Sequence, residues 1–322
     1  MNNIASSPIR RLHRSLAALT SVLAIAMGLP LPAVAALTDL SPTPIAANAA
    51  VLGKPNIMLL IDTSGSMAWT HMPDEVEQVG TVSYIDSIGY RSAQCNSIYY
   101  NPLTDYILPK LPDGTFFSVP SFTSAPYSGF ASYFTAPDAT DLSSVNLSSA
   151  FRAFDAKTLR SGSIVTGLPA DPAQPAYYYV YSGPQTLNYA SAACRQSDVG
   201  ASVAATGGGN WTRVLVSTSS GRPGRVDETS NFAIWYSFYR TRLSLIKSAA
   251  SLAFTPLTSS FRVGLITVEP KDSPTDSAIN AAKYVPIADF DIGQRNAWFN
   301  KLFSQPAKGA SPAREGLARV GR

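Results

Sequence analysis

The sequence contains little histidine, cysteine or charge, and each shortage narrows what the chain can do. Two histidines and two cysteines occur in 322 residues, and charged residues make up 14%. Because His13 lies in the amino-terminal 35 residues, His71 stands alone in the rest, which excludes a metal site built on paired histidines. We expect His71 to be an exposed loop residue. No internal repeat, heptad pattern or apolar run of about 20 residues is present.

The small net charge argues against nucleic acid as a partner. The formal net charge is +4, but the first 35 residues hold three arginines and no acid, which leaves +1 for the remainder. A nucleic-acid-binding domain needs basic residues clustered on one face. With 45% hydrophobic residues, the chain has enough apolar side chains for a core of one large or two small domains.

The amino terminus has the pattern of an export signal. An uncharged stretch (15–29) follows three arginines, and residues 33–35, Ala-Val-Ala, provide a small-x-small cleavage site. We predict a signal peptide at 1–35 and a flexible lead-in at 36–53. A membrane-spanning helix is the weaker alternative because the apolar run is too short. A twin-arginine signal also starts with paired arginines, but the residues that follow Arg10 and Arg11 fit it poorly.

A buried strand followed by oxygen-bearing side chains is the main candidate site. Residues 57–61 are all apolar, which is typical of a central parallel strand, and Asp62, Ser64 and Ser66 follow directly. Ligands of open sheets collect at the carboxyl ends of such strands, and Gly65 allows a sharp turn there. One carboxylate with hydroxyl oxygens favours Mg²⁺ or Mn²⁺. The alternative is a Ser/Gly-rich turn that merely ends the strand.

A long stretch without helical periodicity separates this strand from the next regular elements. From about 68 to 229 the chain has short aromatic or β-branched runs, such as 116–119, 177–181 and 213–217, between turn residues. We interpret it as an irregular, strand-rich insertion. Its tyrosines could form core or a sticky surface, and core is favoured because exposed aromatic stripes promote aggregation.

Both cysteines, Cys95 and Cys194, fall in this insertion. Export would place them in an oxidising compartment, where disulfides persist. We therefore predict that they pair with each other. The alternative, two thiols that are unpaired or bonded to other partners, stays open at this point.

Regular structure returns near residue 231. Aromatic and aliphatic residues at three- and four-residue steps predict one long amphipathic helix that ends before Pro256. A second buried strand (262–268), an edge strand (284–287) and a short helix (296–303) follow, and Pro286 suits an edge position because it cannot donate to a central ladder. Ser311 then precedes Pro312 at the start of a further helix.

The pattern Asp62-x-Ser64-x-Ser66 after an apolar strand resembles the metal-ion-dependent adhesion site of von Willebrand factor A domains. The segment around Ser311 resembles the Gly-Gly-Thr-Pro-Leu loop of that fold, in which the hydroxyl reaches the metal. The resemblance implies an α/β fold at 54–322, an incomplete von Willebrand factor A-like (Rossmann-type) open sheet with helices on both faces and the long insertion. It makes Ser311 the fourth metal ligand. An ordinary helix cap is the alternative role for Ser311.

A second resemblance covers most of the chain and is carried by the aromatic segments. These segments resemble the amino-terminal region of PilY-type type IV pilus proteins, at 95–102, 177–181, 231–242, 247–250 and 261–264. The resemblance implies a pilus-associated surface protein that acts in pilus biogenesis and adhesion. The implied partners are minor pilins or the pilus tip, and a host or abiotic surface. The implied location is the cell surface, the pilus tip or the outer membrane, without an integral membrane segment after signal cleavage.

The chain departs from this family in length. Family members are longer and carry a β-propeller with a separate calcium site, whereas this sequence stops at Arg322, before the loop that would supply a last aspartate. We therefore expect weak metal affinity from one carboxylate and three hydroxyls.

Two functional hypotheses remain, and both are non-enzymatic. The first is a pilus-tip adhesin that binds through a divalent ion, and the second is a structural assembly factor that docks minor pilins without metal. An enzymatic alternative comes from Ser244-x-x-Lys247, which matches a motif of penicillin-recognising acyltransferases. No Ser-x-Asn motif follows it, and Lys247 fits better as a side chain that extends from an apolar helix face to solvent. We predict no catalytic residues.

Overall fold

The computed structural model describes residues 53–158, 171–198, 210–225, 227–273 and 278–321. The predicted signal peptide and nearly all of the predicted lead-in lie outside them. Within these residues the strands are β1 (Asn56–Ile61), β2 (Gln78–Val79), β3 (Val82–Ser83), β4 (Ala125–Pro126), β5 (Ser144–Val145), β6 (Tyr177–Tyr181), β7 (Trp211–Leu215), β8 (Arg262–Thr267) and β9 (Tyr284–Asp289). The α-helices are α1 (Glu228–Phe238), α2 (Arg242–Phe254), α3 (Ile292–Ser304) and α4 (Ala313–Val320). The chain has a mixed α/β fold, as predicted.

The main sheet has the strand order β1-β8-β9. β1 pairs parallel with β8, and β8 pairs antiparallel with β9. Because β1 and β8 are parallel, the residues that follow them emerge at the same edge of the sheet. The predicted strands at 57–61, 262–268 and 284–287 correspond to these three, and β9 lies at the sheet edge, as its proline predicts.

β1 differs from the expectation of a central strand covered on both faces. In the described part of the chain β1 pairs with β8 alone, which makes it an edge strand. Only Ile61 is fully buried, and the four residues before it are half-buried. β1 is therefore more apolar than a half-buried edge strand needs to be.

Helices cover both faces of this sheet. Trp298 of α3 donates through Nε1 to the carbonyl oxygen of Gly264 at 3.1 Å, which fixes α3 against β8. On the opposite face α4 approaches closely at Gly316, where a Cβ atom would lie 3.0 Å from the carbonyl oxygen of Val268 and 3.4 Å from Leu60. No helix in the described ranges has both the length and the apolar character to span a membrane.

The segment between β1 and α1 is irregular and contains only short strands. β2–β3, β4–β5 and β6–β7 form two-stranded antiparallel pairs, and short 3₁₀ helices connect them. The predicted strand at 177–181 is β6, and the one at 213–217 overlaps β7. The run at 116–119 forms no strand, since Phe116 makes only an isolated bridge to Lys110. A turn at 111–114 joins the two sides of that bridge.

The predicted long helix is broken into α1 and α2. Thr241 caps α2, since its Oγ1 accepts a hydrogen bond from the Ser244 amide at 3.2 Å. The Arg242 amide donates to the carbonyl oxygen of Trp69 at 3.2 Å, outside the helix. Sequence periodicity continues through the break because both helices bury apolar residues, so periodicity alone does not reveal it.

Buried side chains form two clusters. The insertion core joins aromatic residues of the insertion to α1, and its largest members are Tyr90, Tyr99, Tyr100, Phe151, Tyr177, Tyr178, Phe232 and Trp235. The sheet core joins the sheet to α2 and α3, and its largest members are Phe130, Phe238, Leu265, Trp298, Phe299 and Phe303. Tyr177, Tyr178 and Tyr179 are all buried, which confirms that these tyrosines belong to the core.

Two polar residues lie deeper than the sequence suggests. His71 was expected to be exposed but is 0% exposed, stacks on Trp69, and places Nε2 3.4 Å from Glu77 Oε2. Lys247 does not extend to solvent, because it is 1% exposed and its Nζ donates to the Phe303 carbonyl oxygen at 2.7 Å. His71 thus has an aromatic and an acidic neighbour, and Lys247 has one backbone acceptor, inside the fold.

Candidate metal centre

The candidate centre lies where the parallel strands β1 and β8 end. The Val268 amide donates to the Ile61 carbonyl oxygen at 2.8 Å, which extends the pairing to the last residue of β1. Asp62 follows β1, and Glu269 follows Val268. Both carboxylates therefore leave the sheet at the same edge, which is where open parallel sheets place their ligands.

The aspartate loop, residues 62–67, arranges three of the predicted ligands. Asp62 Oδ1 accepts a hydrogen bond from the Ser64 amide at 2.8 Å, which tightens the turn after β1. The loop then enters a 3₁₀ helix, Gly65–Ala68. Ser64 Oγ and Ser66 Oγ lie 3.2 Å apart. The two hydroxyls thus point to the same place.

The serine loop, residues 308–311, brings the fourth predicted ligand to the aspartate loop. Ser311 Oγ donates to Asp62 Oδ2 at 3.1 Å, although the two residues are 249 positions apart. Backbone hydrogen bonds join the loops on both sides of this contact. The Gly65 amide donates to the Gly309 carbonyl oxygen at 3.1 Å, and the Lys308 amide donates to the Thr63 carbonyl oxygen at 2.7 Å.

Ser311 is not a helix cap in this structure. The residue that precedes α4 is Pro312, and no side chain caps the helix. The hydroxyl of Ser311 instead contacts Asp62, as described above. Its alternative role as an ordinary cap is therefore not the one that the geometry shows.

Glu269 also lies at this edge of the sheet, although it was not among the predicted site residues. Its Oε2 accepts a hydrogen bond from the Ala310 amide at 3.2 Å, so the carboxylate holds the residue just before Ser311. Gly309 has φ +94°, and a Cβ atom there would lie 2.1 Å from Glu269 Oε2, so only glycine fits. The rule that found Asp62, a carboxylate directly after a buried strand, also applies to Glu269.

The donor set is rich in hydroxyls and poor in charge. Ser64 is 5% exposed, Asp62 and Ser66 are half-buried, and Ser311 is exposed. Across the described residues no group of three or more His, Cys, Asp or Glu side chains is placed to hold a metal. Hard oxygen donors around one carboxylate suit a small dication such as Mg²⁺ or Mn²⁺, and the exposure of Ser311 leaves the centre open to solvent.

Curated relatives match the chain over most of its length. Three proteins of Pseudomonas aeruginosa, each named Type IV pilus biogenesis factor PilY1, come from strains PAK, PAO1 and UCBPP-PA14. They are 28%, 29% and 31% identical over 274, 279 and 280 residues, which is 83% of this chain in each case. The chain is PilY1-like. It spans about a fifth of the length of these relatives, since 20% of each is covered.

Two other comparisons add nothing to this relationship. No protein-family model matches the sequence. No solved structure matches it either.

The cysteines of the PilY1-like chain lie together in the insertion. Cys95 and Cys194 are joined as a disulfide with Cα atoms 5.9 Å apart, and 99 positions separate them in sequence. Both side chains are buried within the insertion core. A Cβ at Gly89 would lie 2.3 Å from the Cys194 carbonyl oxygen, so the chain passes very close to this bridge.

Ser244 and Lys247, the residues of the enzymatic alternative, are not hydrogen-bonded to each other. Thr241 Oγ1 donates to Ser244 Oγ at 2.8 Å. The Lys247 ammonium donates to the Phe303 carbonyl oxygen, as described above. In nucleophilic catalysis the nucleophile and its base lie within hydrogen-bond reach of each other. Here the Ser244 hydroxyl contacts Thr241 and the Lys247 ammonium contacts Phe303.

Proposed function

We propose that this PilY1-like chain belongs to an exported, type IV pilus-associated surface protein that acts in pilus biogenesis and adhesion, and that it binds partners through a divalent-metal site. The relatives' printed name supports the biogenesis role. One observation supports the site most directly, namely the contact of Ser311 Oγ with Asp62 Oδ2 across 249 positions. The proposed partners are minor pilins or the pilus tip, and a host or abiotic surface.

We also propose that the sheet is part of a von Willebrand factor A-like open sheet. Three features support this assignment: a parallel β1–β8 pair, an antiparallel β9 at one edge, and helices on both faces. Among the described residues β1 has one unpaired edge, and the strand is apolar but half-buried, which is suited to pairing with a further strand. The segment between β1 and α1 is then an insertion placed directly after the aspartate loop.

The chain's own residues would hold the ion through four oxygens. Asp62 supplies the single negative charge, and the hydroxyls of Ser64, Ser66 and Ser311 supply neutral donors. A bound Mg²⁺ would supply open coordination positions for an acidic group of a partner. Glu269 would act beside the ion by holding the Ala310 amide and thus the position of Ser311. The expected activity is binding rather than turnover.

The substitution Asp62→Ala, introduced into the full-length protein in the cells that naturally produce it, tests this function. We expect chelator-sensitive adhesion in the wild type and its loss in the variant, because the variant lacks the sole charged donor. Glu75→Ala, a change at another acidic residue of the chain, is the control. If adhesion and piliation were unchanged in the Asp62→Ala cells, the centre would have no role in binding.

The second function is metal-independent docking of minor pilins. It is favoured by the hydrogen bonds that link the aspartate loop and the serine loop without a metal. Asp62 accepts hydrogen bonds from both the Ser64 amide and the Ser311 hydroxyl. These bonds could make the two loops a folding clip. Capture of minor pilins in the presence of chelator, equally by wild type and Asp62→Ala, would support this second function over the first.

A further inference from the structure

A cavity with a volume of about 310 Å³ is lined by none of the four proposed metal ligands, although Ala68 and Lys308, next to the two loops of the centre, are part of its wall. It is bounded by the insertion, by the junction of α1 and α2, and by residues 306–308. Its volume is at the lower end of the range for small-molecule sites, roughly 300 to 1,000 Å³. The charged residues that line it are Lys157, Arg240, Lys247 and Lys308 with the single acid Asp141.

Arg240 is buried in the wall of this cavity without an ion pair. The side chain is 5% exposed, and its Nη2 donates to the Tyr127 carbonyl oxygen at 2.7 Å. The guanidinium lies between two tyrosine rings, 4.1 Å from the centre of Tyr127 and 4.3 Å from that of Tyr236. Its Nε has no hydrogen-bond partner among the described residues. Aromatic faces therefore hold this cation in a place where a carboxylate would be expected.

Lys247 is the second buried cation of the cavity. The Phe303 carbonyl oxygen takes one of its three ammonium hydrogens. Two phenylalanine rings flank the ammonium, with centres 5.3 Å away at Phe130 and 4.8 Å away at Phe134. Desolvation lowers the pKa of Lys247 to about 7, and the charge of Asp141 opposes this shift only in part. No carboxylate of the described residues lies within ion-pair distance of Lys247.

The one acid in the lining does not neutralise these cations. Asp141 Oδ1 lies 3.1 Å from the Lys157 ammonium, so it is already paired. The amino-terminal end of α2 adds partial positive charge, because Thr241, Leu243 and Ser244 also line the cavity. Asp155, which accepts a hydrogen bond from the Tyr127 hydroxyl, helps to raise the pKa of Arg240 but forms no ion pair with it. An anion that enters the cavity would give both buried cations a direct partner and so lower the cost of their burial.

Part of the lining is apolar. Phe134, Leu243, Pro306 and Ala307 provide hydrocarbon surface between the cations. Such walls fit an organic body better than a fully hydrated inorganic anion. Arginine forms paired hydrogen bonds with planar carboxylates, which makes a carboxylate the best match to Arg240.

We propose that this cavity binds a carboxylate that carries a short apolar body, with Arg240 and Lys247 as the groups that hold the charge. The carboxylate could belong to a free organic acid or to the end of a peptide chain. Because the cavity uses none of the four proposed metal ligands, the proposal is independent of the divalent ion. Binding should therefore persist in chelator.

Ligand-observed NMR titration of the full chain tests the proposal with hexanoate, hexanamide and inorganic phosphate, all in chelator. We expect hexanoate to bind at least tenfold more tightly than its neutral amide and than phosphate. Lys247→Met and Arg240→Gln should each weaken hexanoate binding tenfold or more. Lys301→Met is the matched control, since this lysine also donates to a backbone carbonyl, that of Ala281 at 2.7 Å, but does not line the cavity.

Several results would overturn the proposal. The first is equal binding of hexanoate and hexanamide, which would make the cavity merely apolar. The second is absence of hexanoate binding, or binding that Lys247→Met leaves unchanged. Because changes at buried cations can impair folding, Ala307→Trp provides an independent variant that fills the cavity and leaves both cations in place. It should abolish hexanoate binding without changing the circular dichroism spectrum, and full retention of binding would also contradict the proposal.

A peptide arm separates the two sources of the carboxylate. Acetyl-Leu-Leu with a free carboxyl end and the same peptide with an amidated end are titrated in competition with hexanoate. Tighter binding of the free-ended peptide than of hexanoate supports a partner's chain end as the ligand. Tighter binding of hexanoate supports a free acid. Equal competition by the amidated peptide would overturn the requirement for a carboxylate.

Discussion

The insertion core and the edge of the main sheet use polar groups in opposite ways. In the insertion core, buried polar groups satisfy one another, since Tyr100 donates to Glu228, Arg225 pairs with Glu228, and Asn231 Nδ2 donates to Tyr100 Oη at 2.8 Å. At the sheet edge, by contrast, half-exposed oxygens of Asp62 and Ser66 lie beside the exposed Ser311. The first arrangement suits stability and the second suits binding.

The difference predicts a division of labour within one chain. Changes in the insertion core should alter the free energy of unfolding and leave metal affinity intact. Changes at the sheet edge should do the reverse, because exposed oxygens add little to stability. Each prediction below either sharpens this division or breaks it.

The largest expected effect on stability comes from the disulfide. Replacing Cys95 and Cys194 together with serine should lower the free energy of unfolding by about 4 to 5 kcal/mol, because the bridge closes a loop of nearly 100 residues. Denaturant unfolding of the two proteins measures the difference. Thiol titration of the unfolded, unreduced chain is the control, and two free thiols per chain would contradict the bridge.

A single aromatic residue should give the next largest effect. Trp235→Ala removes a ring packed against Tyr99, Tyr100 and Phe232 and should cost about 3 to 5 kcal/mol of unfolding free energy. Trp235→Phe keeps an aromatic ring, although a smaller one, and loses the hydrogen bond from the indole to the Ile98 carbonyl oxygen, so its cost should be smaller, about 1 to 3 kcal/mol. If Trp235→Phe changed the metal affinity, the insertion core and the sheet edge would not be independent.

The buried lysine predicts a pH dependence of stability. The pKa of Lys247 is about 7 in the folded protein and 10.5 as the ordinary value. Between these values the unfolded chain binds a proton that the folded chain does not, so stability rises with pH. Relative to Lys247→Met, the wild type should gain up to about 1.4 kcal/mol per pH unit there.

Urea unfolding of both proteins at pH 6, 8 and 9 measures this difference. The other charged groups of the cavity, Asp141, Lys157, Arg240 and Lys308, occur in both proteins and cancel. The variant should have its largest advantage at pH 6 and lose it as the pH rises. A difference that stays constant over this range would show that Lys247 keeps its charge in the folded protein.

Much of the sheet can be predicted from sequence, because β1 and β8 are apolar runs of strand length and Asp62 marks the end of β1. The contact between Asp62 and Ser311 could be predicted only through the family resemblance, since no local pattern links residues so far apart. The break between α1 and α2 depends on a tertiary hydrogen bond to Trp69, and no helical pattern encodes that.

The burial of Lys247 and His71 was missed for a similar reason. Their polarity favours exposure in any local interpretation. In the fold, Lys247 donates to the carbonyl oxygen of Phe303, 56 positions away, and the His71 ring contacts Tyr90, 19 positions away. The two cations of the cavity also come from one short segment of sequence. Only the fold shows that no carboxylate of the described residues lies within ion-pair distance of them.

Asp62→Ala should have the smallest effect on stability, about 1 kcal/mol, because it removes two hydrogen bonds at a half-exposed position. Thermal unfolding of the variant beside wild type measures this cost. A loss as large as that of Trp235→Ala would place the sheet edge among the stabilising elements and remove the contrast with the insertion core.

Titration calorimetry of Mg²⁺ against the wild type, Asp62→Ala and the exposed-site control Asp113→Ala tests the metal centre most directly. We predict weak binding at one site, with a dissociation constant above about 0.1 mM, since one carboxylate neutralises a dication poorly. The heat of binding should vanish in Asp62→Ala and persist in Asp113→Ala. Equal binding by wild type and Asp62→Ala would contradict the account.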